Sequence, residues 1–204
     1  MRIAAIIPVG TIEGAKSRLG GSLDAEERQD LVERLLTRTV EAALTAGRFG
    51  DVLVVSPDRE VLRLAADAGA RTLRQRSHGL NAGLDEARDD AVAGEANAIV
   101  VVPIDLPFVT AETLAELAAA VDGERPTVVL VTDRHGTGTN VLALAPPDAI
   151  GFAFGHDSRA AHRAAAEAAG ITYRELESPL AVDLDTPEDL VLVESTAPER
   201  LGVG

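Results

Sequence analysis

Ala98-Ile-Val-Val-Val-Pro-Ile-Asp-Leu-Pro107 decides the fold. Its unbroken apolar run, Ala98 to Val102, closed by Pro103, fits a strand buried on both faces, and such strands belong to parallel sheets covered by helices on either side. Working outward, Arg2 to Pro8, Asp51 to Val55, Ala70 to Leu73, Val128 to Thr132, Val141 to Leu144 and Ile171 to Leu176 read as further strands. Helices fall between most of them. The first opens at Asp24 and Glu27 and repeats Leu31, Val32, Leu35, Leu36, Val40, Ala43 and Leu44 at helical spacing. Others run from Arg59 to Ala68, ended by Gly69, from Leu80 to Val92, from a Thr110 cap to Asp122, and from Ser158 to Ala169. The alternation predicts one domain over residues 1–204, a three-layer α/β/α sandwich with a Rossmann-like, mostly parallel sheet. Residues from about 197 to 204 read as a loose tail. Ligands of such sheets bind beyond the carboxyl ends of the strands.

Composition narrows the chemistry. A chain of 204 residues can bury roughly 70% of its unfolded surface without disulfides or a structural metal. It contains no cysteine, which excludes thiolate zinc sites and cysteine nucleophiles, and its four histidines lack zinc-like spacing. Any metal would therefore sit on oxygen ligands, which favours magnesium or manganese. A net charge of -14 repels nucleic acid and anionic membranes alike. No apolar run approaches the roughly 20 residues of a membrane span, and the first strand begins without a basic leader, so a cytoplasmic protein is expected. Lys16 is the only lysine; arginine supplies the other basic groups, a bias that fits either genome composition or salt adaptation.

Ala181-Val-Asp-Leu-Asp-Thr-Pro-Glu-Asp-Leu190 carries the strongest acidic motif. Asp183 and Asp185, two apart on what reads as a strand end, project to one side. Thr186, Pro187 and Asp189 then have the pattern of a capped helix start. An acidic turn before a helix needs no metal, but Asp105, just past the buried central run, supplies a third carboxylate and makes a cation site a reasonable expectation.

Gly10-Thr-Ile-Glu-Gly-Ala-Lys16-Ser17 comes within one residue of a P-loop, with alanine in place of the last glycine. Leu19-Gly20-Gly21-Ser22 would break the helix that a P-loop requires. Lys16 and Arg18 are better read as cations for phosphate at the mouth of the sheet, against the plainer alternative of a solvated loop. His78 and His135 read as loop residues rather than bases.

Taken together and in this order, Lys16-Ser-Arg-Leu, Val55-Ser-Pro-Asp58, Gly79-Leu-Asn81, Ile104-Asp-Leu-Pro107 and Asp183-Leu-Asp-Thr-Pro-Glu-Asp-Leu190 resemble nucleotidyltransferases of the glycosyltransferase-A-like, nucleotide-diphospho-sugar-transferase fold, the group that includes molybdopterin guanylyltransferase. Gly136-Thr-Gly-Thr139-Asn140 and Phe154-Gly155-His-Asp-Ser158 further resemble the phosphoenolpyruvate and 2-phospho-L-lactate guanylyltransferases of deazaflavin coenzyme F(420) biosynthesis. The resemblance implies magnesium, or manganese, on Asp105, Asp183 and Asp185, and a phosphorylated three-carbon acid on Thr139, Gly155 and Ser158. It also implies GTP on Gly10, Lys16, Ser56, Pro57, Asp58, Gly79 and Asn81, with Lys16 and Arg18 as the catalytic cations. Guanine presents N–H donors, so acceptors such as the Asn81 amide oxygen are expected around it. Ser158, at a helix start, would meet an anion with backbone N–H groups, and Thr137 and Thr139 would add hydroxyls among glycines. Resemblance to the bacterial branch favours phosphoenolpyruvate over 2-phospholactate. Other acceptors such as molybdopterin, a non-catalytic nucleotide-binding module, and assembly as a homodimer stay open at this point.

Overall fold

The computed structural model describes residues 1–12, 24–123 and 125–197. Lys16 and Arg18, and nearly all of the tail from 198 onward, lie outside the described residues. Among the described residues, seven strands form one sheet: β1 (Ile3–Pro8), β2 (Asp51–Ser56), β3 (Arg71–Arg74), β4 (Ala98–Val101), β5 (Thr127–Thr132), β6 (Thr139–Ala145) and β7 (Thr172–Glu175). Their order is β3-β2-β1-β4-β6-β5-β7. The central place belongs to β4, every residue of which is buried, as an apolar run flanked on both faces requires. β1 pairs in parallel with β2 on one side, Ile6 opposite Leu53, and with β4 on the other, Ile6 opposite Val101.

β6 runs antiparallel to both β4 and β5, so the sheet is mixed but mostly parallel. The cause is the short connection. Residues 133–138 leave no room for the crossover of a dozen or more residues that a parallel return needs, and the chain turns back as a hairpin. One consequence reaches the chemistry: the first residues of β6, Thr139 and Asn140, stand on the same rim as the last residues of the parallel strands.

Helices cover both faces. α1 (Ala25–Thr45), α2 (Arg59–Asp67), α4 (Ala111–Val121) and α6 (Pro187–Thr196) pack one core with Ile7, Val54, Val100 and Val129. α3 (Leu80–Ala93) and α5 (Ser158–Ala169) close the other with Ile6, Leu53, Ile99 and Leu142. Alternate strand residues thus feed opposite cores, the two-residue period of a strand made visible. Leu36, Leu114 and Leu84 are wholly buried, and cutting any of them to alanine would cost about 2–5 kcal/mol. Three helix starts carry full capping boxes, Asp24 with Glu27, Thr110 with Thr113 and Thr186 with Asp189, each cap stabilising by about 1 kcal/mol.

One expectation is corrected. Asp183 does not end a strand: residues 182–185 form an extended connection after a short 3-10 helix, Pro179–Ala181. The segment lies past the end of β4, where the Leu184 N–H donates to the Asp105 carbonyl at 2.9 Å. The inside-outside alternation nevertheless holds, because Leu184 is fully buried while Asp183 and Asp185 face the rim.

Candidate active site

Two cavities adjoin at the carboxyl rim, and Leu80, 46% exposed at the start of α3, lines both. The smaller, about 350 Å³, is walled by Pro8 at the end of β1 and Val9 and Gly10 after it, by Pro57 after β2, and by Gln75, Gly79 and Gly83. The larger, about 490 Å³, receives Asp105 from beyond β4, Asp133 and Gly138 from the β5–β6 turn, and Thr139 and Asn140 from β6. Pro103, Phe154, Gly155, His156, Ser158, Asp183 and Asp185 complete it.

Around the smaller cavity, the expected residues divide into wall and support. Gly10, Pro57 and Gly79 line it. Ser56 is fully buried behind them, its hydroxyl donating to the Gly10 carbonyl at 3.3 Å and accepting from the Asp58 N–H at 3.0 Å. The Asp58 carboxylate caps α2 through the Glu60 N–H and also takes the Ile12 N–H at 3.1 Å, which ties the start of the first loop to α2. Asn81 likewise turns away from a base: its amide oxygen accepts from the Phe154 N–H at 2.9 Å and its nitrogen donates to the Phe154 carbonyl at 3.0 Å. It therefore holds the loop that ends in Gly155. Gln75, not anticipated, stands in the wall itself. Its amide nitrogen donates to the carbonyls of Ser77 and Gly79 at 3.0 and 2.9 Å, and a Cβ on Gly83 would come within 2.6 Å of that amide.

In the larger cavity the three expected aspartates come together. Burial first, and then the negative charges of Asp105 and Asp185, push the Asp183 carboxyl up to about 6. Crowded carboxylates of this kind suit a hard divalent cation. Among the described residues, no group of three or more acidic or histidine side chains is arranged to hold a metal ion by itself. The donor set fits an ion that takes only part of its shell from protein and the rest from phosphate oxygens and water, the usual manner of magnesium with nucleotides. Asp189 supports this corner without facing it. Only 3% of its side chain is exposed; one carboxylate oxygen takes the N–H groups of Asp185 and Thr186 at 3.0 and 2.8 Å, and the other contacts the Arg134 guanidinium. Burial alone would raise its pKa, but these hydrogen bonds and the Arg134 charge outweigh it and hold the carboxyl below its ordinary value.

The side of the cavity assigned to the three-carbon acid is more elaborately tied than expected. Asp133 organises the glycine-threonine turn, accepting from the Thr137 N–H at 2.8 Å and the Thr137 hydroxyl at 3.3 Å. Gly155 has φ +132, a backbone conformation that side chains rarely adopt. Ser158 is the first residue of α5 rather than its cap; Asp157 occupies the cap position with φ 53 and no capping hydrogen bond. The first N–H groups of α5 are partly spent, Ser158 on the Gly155 carbonyl and Arg159 on the Thr137 carbonyl, so the helix start offers an anion fewer free donors than the sequence suggests. The Thr139 hydroxyl lies 3.0 Å from Nδ1 of His162, a wholly buried residue that sequence reading passed over. Its spacing from Ser158, one helical turn within an alanine-rich helix, was the available signal.

A family model described as "Guanylyl transferase CofC like" matches residues 3–194. The chain is 44% identical over 199 residues to a phosphoenolpyruvate guanylyltransferase of Sphaerobacter thermophilus, covering 97% of this chain and 95% of that one. It is 44% identical over 197 residues to a protein of the same name from Rubrobacter xylanophilus, covering 96% and 95%. Among solved structures, a protein assigned as a nucleotide-diphospho-sugar transferase from Desulfovibrio desulfuricans superposes with a TM-score of 0.76 at 16% identity, over 97% of this chain and 89% of the other. That likeness supports the fold.

Proposed function

We propose that the chain, which belongs to the CofC-like guanylyl transferase family, is a phosphoenolpyruvate guanylyltransferase, a single nucleotidyltransferase domain that acts in the cytoplasm in coenzyme F(420) biosynthesis. A phosphate oxygen of phosphoenolpyruvate attacks the α-phosphorus of GTP. The bond from that phosphorus to the bridging oxygen breaks, its electron pair leaves with pyrophosphate, and enolpyruvoyl-2-diphospho-5'-guanosine remains.

The observation that carries this reading is the pair of adjoining cavities. One is glycine-walled and largely apolar, as a nucleoside requires; the other brings three carboxylates beside Thr139, Gly155 and Ser158. The boundary at Leu80 is where the α-phosphorus would lie, and α3 begins there, after Gly79 with φ +88 and no side-chain cap. Asp105, Asp183 and Asp185 would hold magnesium, with manganese as a substitute. When bound, the ion supplies the positive charge that lets two polyanions approach. The phosphate monoester of the acceptor has a second pKa of about 6, so no side chain has to remove a proton from the nucleophile. His156, which lines the larger cavity, is therefore not needed as a base, and the carboxylates and hydroxyls of the site are left to bind and position. The residues of the chain act by positioning: Gly10, Pro57 and Gly79 around the guanosine, Thr139, Gly155 and Ser158 around the acceptor, and Lys16 and Arg18 on the triphosphate.

Pyrophosphate release tests the reading. Purified protein with magnesium should release it from GTP only when phosphoenolpyruvate is added, and much less from other nucleoside triphosphates. Release with 2-phospholactate or a molybdopterin acceptor but not with phosphoenolpyruvate would move the chain to a different acceptor.

A further inference from the structure

His162 is completely buried on α5, one turn beyond Ser158. Both ring nitrogens are engaged. Nε2 lies 2.9 Å from the backbone nitrogen of Ala153, and Nδ1 lies 3.0 Å from the Thr139 hydroxyl. The Phe154 ring meets the imidazole edge-on, with centroids 5.2 Å apart. A backbone N–H can only donate, so Nε2 must present its lone pair to Ala153. A neutral imidazole has a single N–H, which is thereby placed on Nδ1, pointing at Thr139. The Thr139 hydroxyl then accepts from His162 and keeps its own hydrogen to give elsewhere. Thr139 lines the larger cavity beside Gly155 and Ser158.

We infer that His162 is a positioning residue of the acceptor site: fixed as the Nδ1–H tautomer, it makes the Thr139 hydroxyl a hydrogen-bond donor into the cavity and clamps Ala153, next to Phe154 and Gly155, against β6. The inference rests on the proposed function for the identity of the anion that receives this donor. Phosphate and carboxylate groups only accept, so a hydroxyl free to turn either way would face such a ligand less well than one whose lone pair is already occupied. The loop is held twice over, since Asn81 grips both backbone atoms of Phe154 while His162 takes the N–H of Ala153. Burial keeps the ring neutral, pushing its pKa down to about 4.

Two measurements decide the matter. In a ¹⁵N spectrum of histidine-labelled protein, which has four histidines to assign, one imidazole should be locked as Nδ1–H and should not titrate across about pH 5.5 to 8. His162→Phe or His162→Leu should raise the KM for phosphoenolpyruvate roughly tenfold, the size expected for one hydrogen bond to an anion. The KM for GTP should stay nearly constant, and His162→Asn, whose amide can still donate to Thr139, should restore most of the loss. Combining Thr139→Val with His162→Leu should do little more than Thr139→Val alone. An Nε2–H ring, a ring titrating near its ordinary value, or parallel rises in both KM values would overturn the inference. If the variants do not fold, the wild-type spectrum still decides the tautomer. Absence of guanylyl transfer in the wild type would count against the proposed function instead.

Discussion

Replacing the Asp105 or Asp185 carboxylate by the amide of the same shape should abolish turnover while leaving the melting temperature near that of the wild type. Near-normal turnover of both variants at limiting magnesium would remove the metal assignment. Asp183 should behave differently, because burial and the neighbouring carboxylates push its carboxyl up to about 6 from an ordinary 3.8. A raised carboxyl pKa means that the folded state binds this proton more tightly than the unfolded chain does. The charged form therefore weighs against folding above pH 6, and the burden lifts as pH falls from about 6 towards 4. In metal-free protein, Asp183→Asn should raise the melting temperature at about pH 7.5 by about 2–4 °C, or about 1 kcal/mol after screening of this part-exposed group, and by less at about pH 5. Calorimetry at the two pH values checks it; a drop in stability at the higher pH would contradict the crowding of the three carboxylates. At this scale the aspartates were legible because a two-residue spacing fixes their direction, whatever the local hydrogen bonding. Asn81 and His162 were not, since sequence names the donors and acceptors of a side chain without saying which neighbour consumes them.

Two packing relations between elements make separate predictions. Gly83, in the first turns of α3, gives close room to the Gln75 amide that holds the Ser77 and Gly79 carbonyls. Gly83→Ala should displace Gln75, raise the KM for GTP severalfold and leave that for the acceptor alone; equal rises would mean that the smaller cavity does not hold the nucleoside. Asp189, at the start of α6, binds the Asp185 backbone and faces Arg134 from the β5–β6 turn. Asp189→Ala would leave that arginine without its buried partner, so a loss of about 3 kcal/mol is expected, together with a higher magnesium requirement as Asp185 loses its anchor. Urea unfolding and a magnesium titration measure the two effects, and a variant of wild-type stability would contradict the buried pair. The sequence announced α6 clearly, through threonine, proline and an acid at fixed offsets, and announced β4 through its apolar run. The direction of β6 was readable too, from the short span 133–138, but alternation of strands and helices elsewhere masked it. The apparent strand at Asp183 has the alternation of one without a ladder to join.

For the molecule as a whole, a net charge of -14 sets the problem that the site must solve, because two further polyanions have to meet inside an already negative field. Turnover should accordingly depend on divalent metal and on the sole lysine, Lys16. The α/β layering needed only composition and periodicity; the two-cavity rim needed the structure, because it joins residues from Pro8 to Asp185 that no local pattern connects. The central claim is direct attack of the acceptor phosphate on the α-phosphorus, and phosphoenolpyruvate carrying ¹⁸O in its phosphate group tests it most directly. Mass spectrometry of the products should find all of the label in the guanylylated enolpyruvate and none in pyrophosphate. Label in pyrophosphate, or formation of free GMP with phosphoenolpyruvate unchanged, would contradict it.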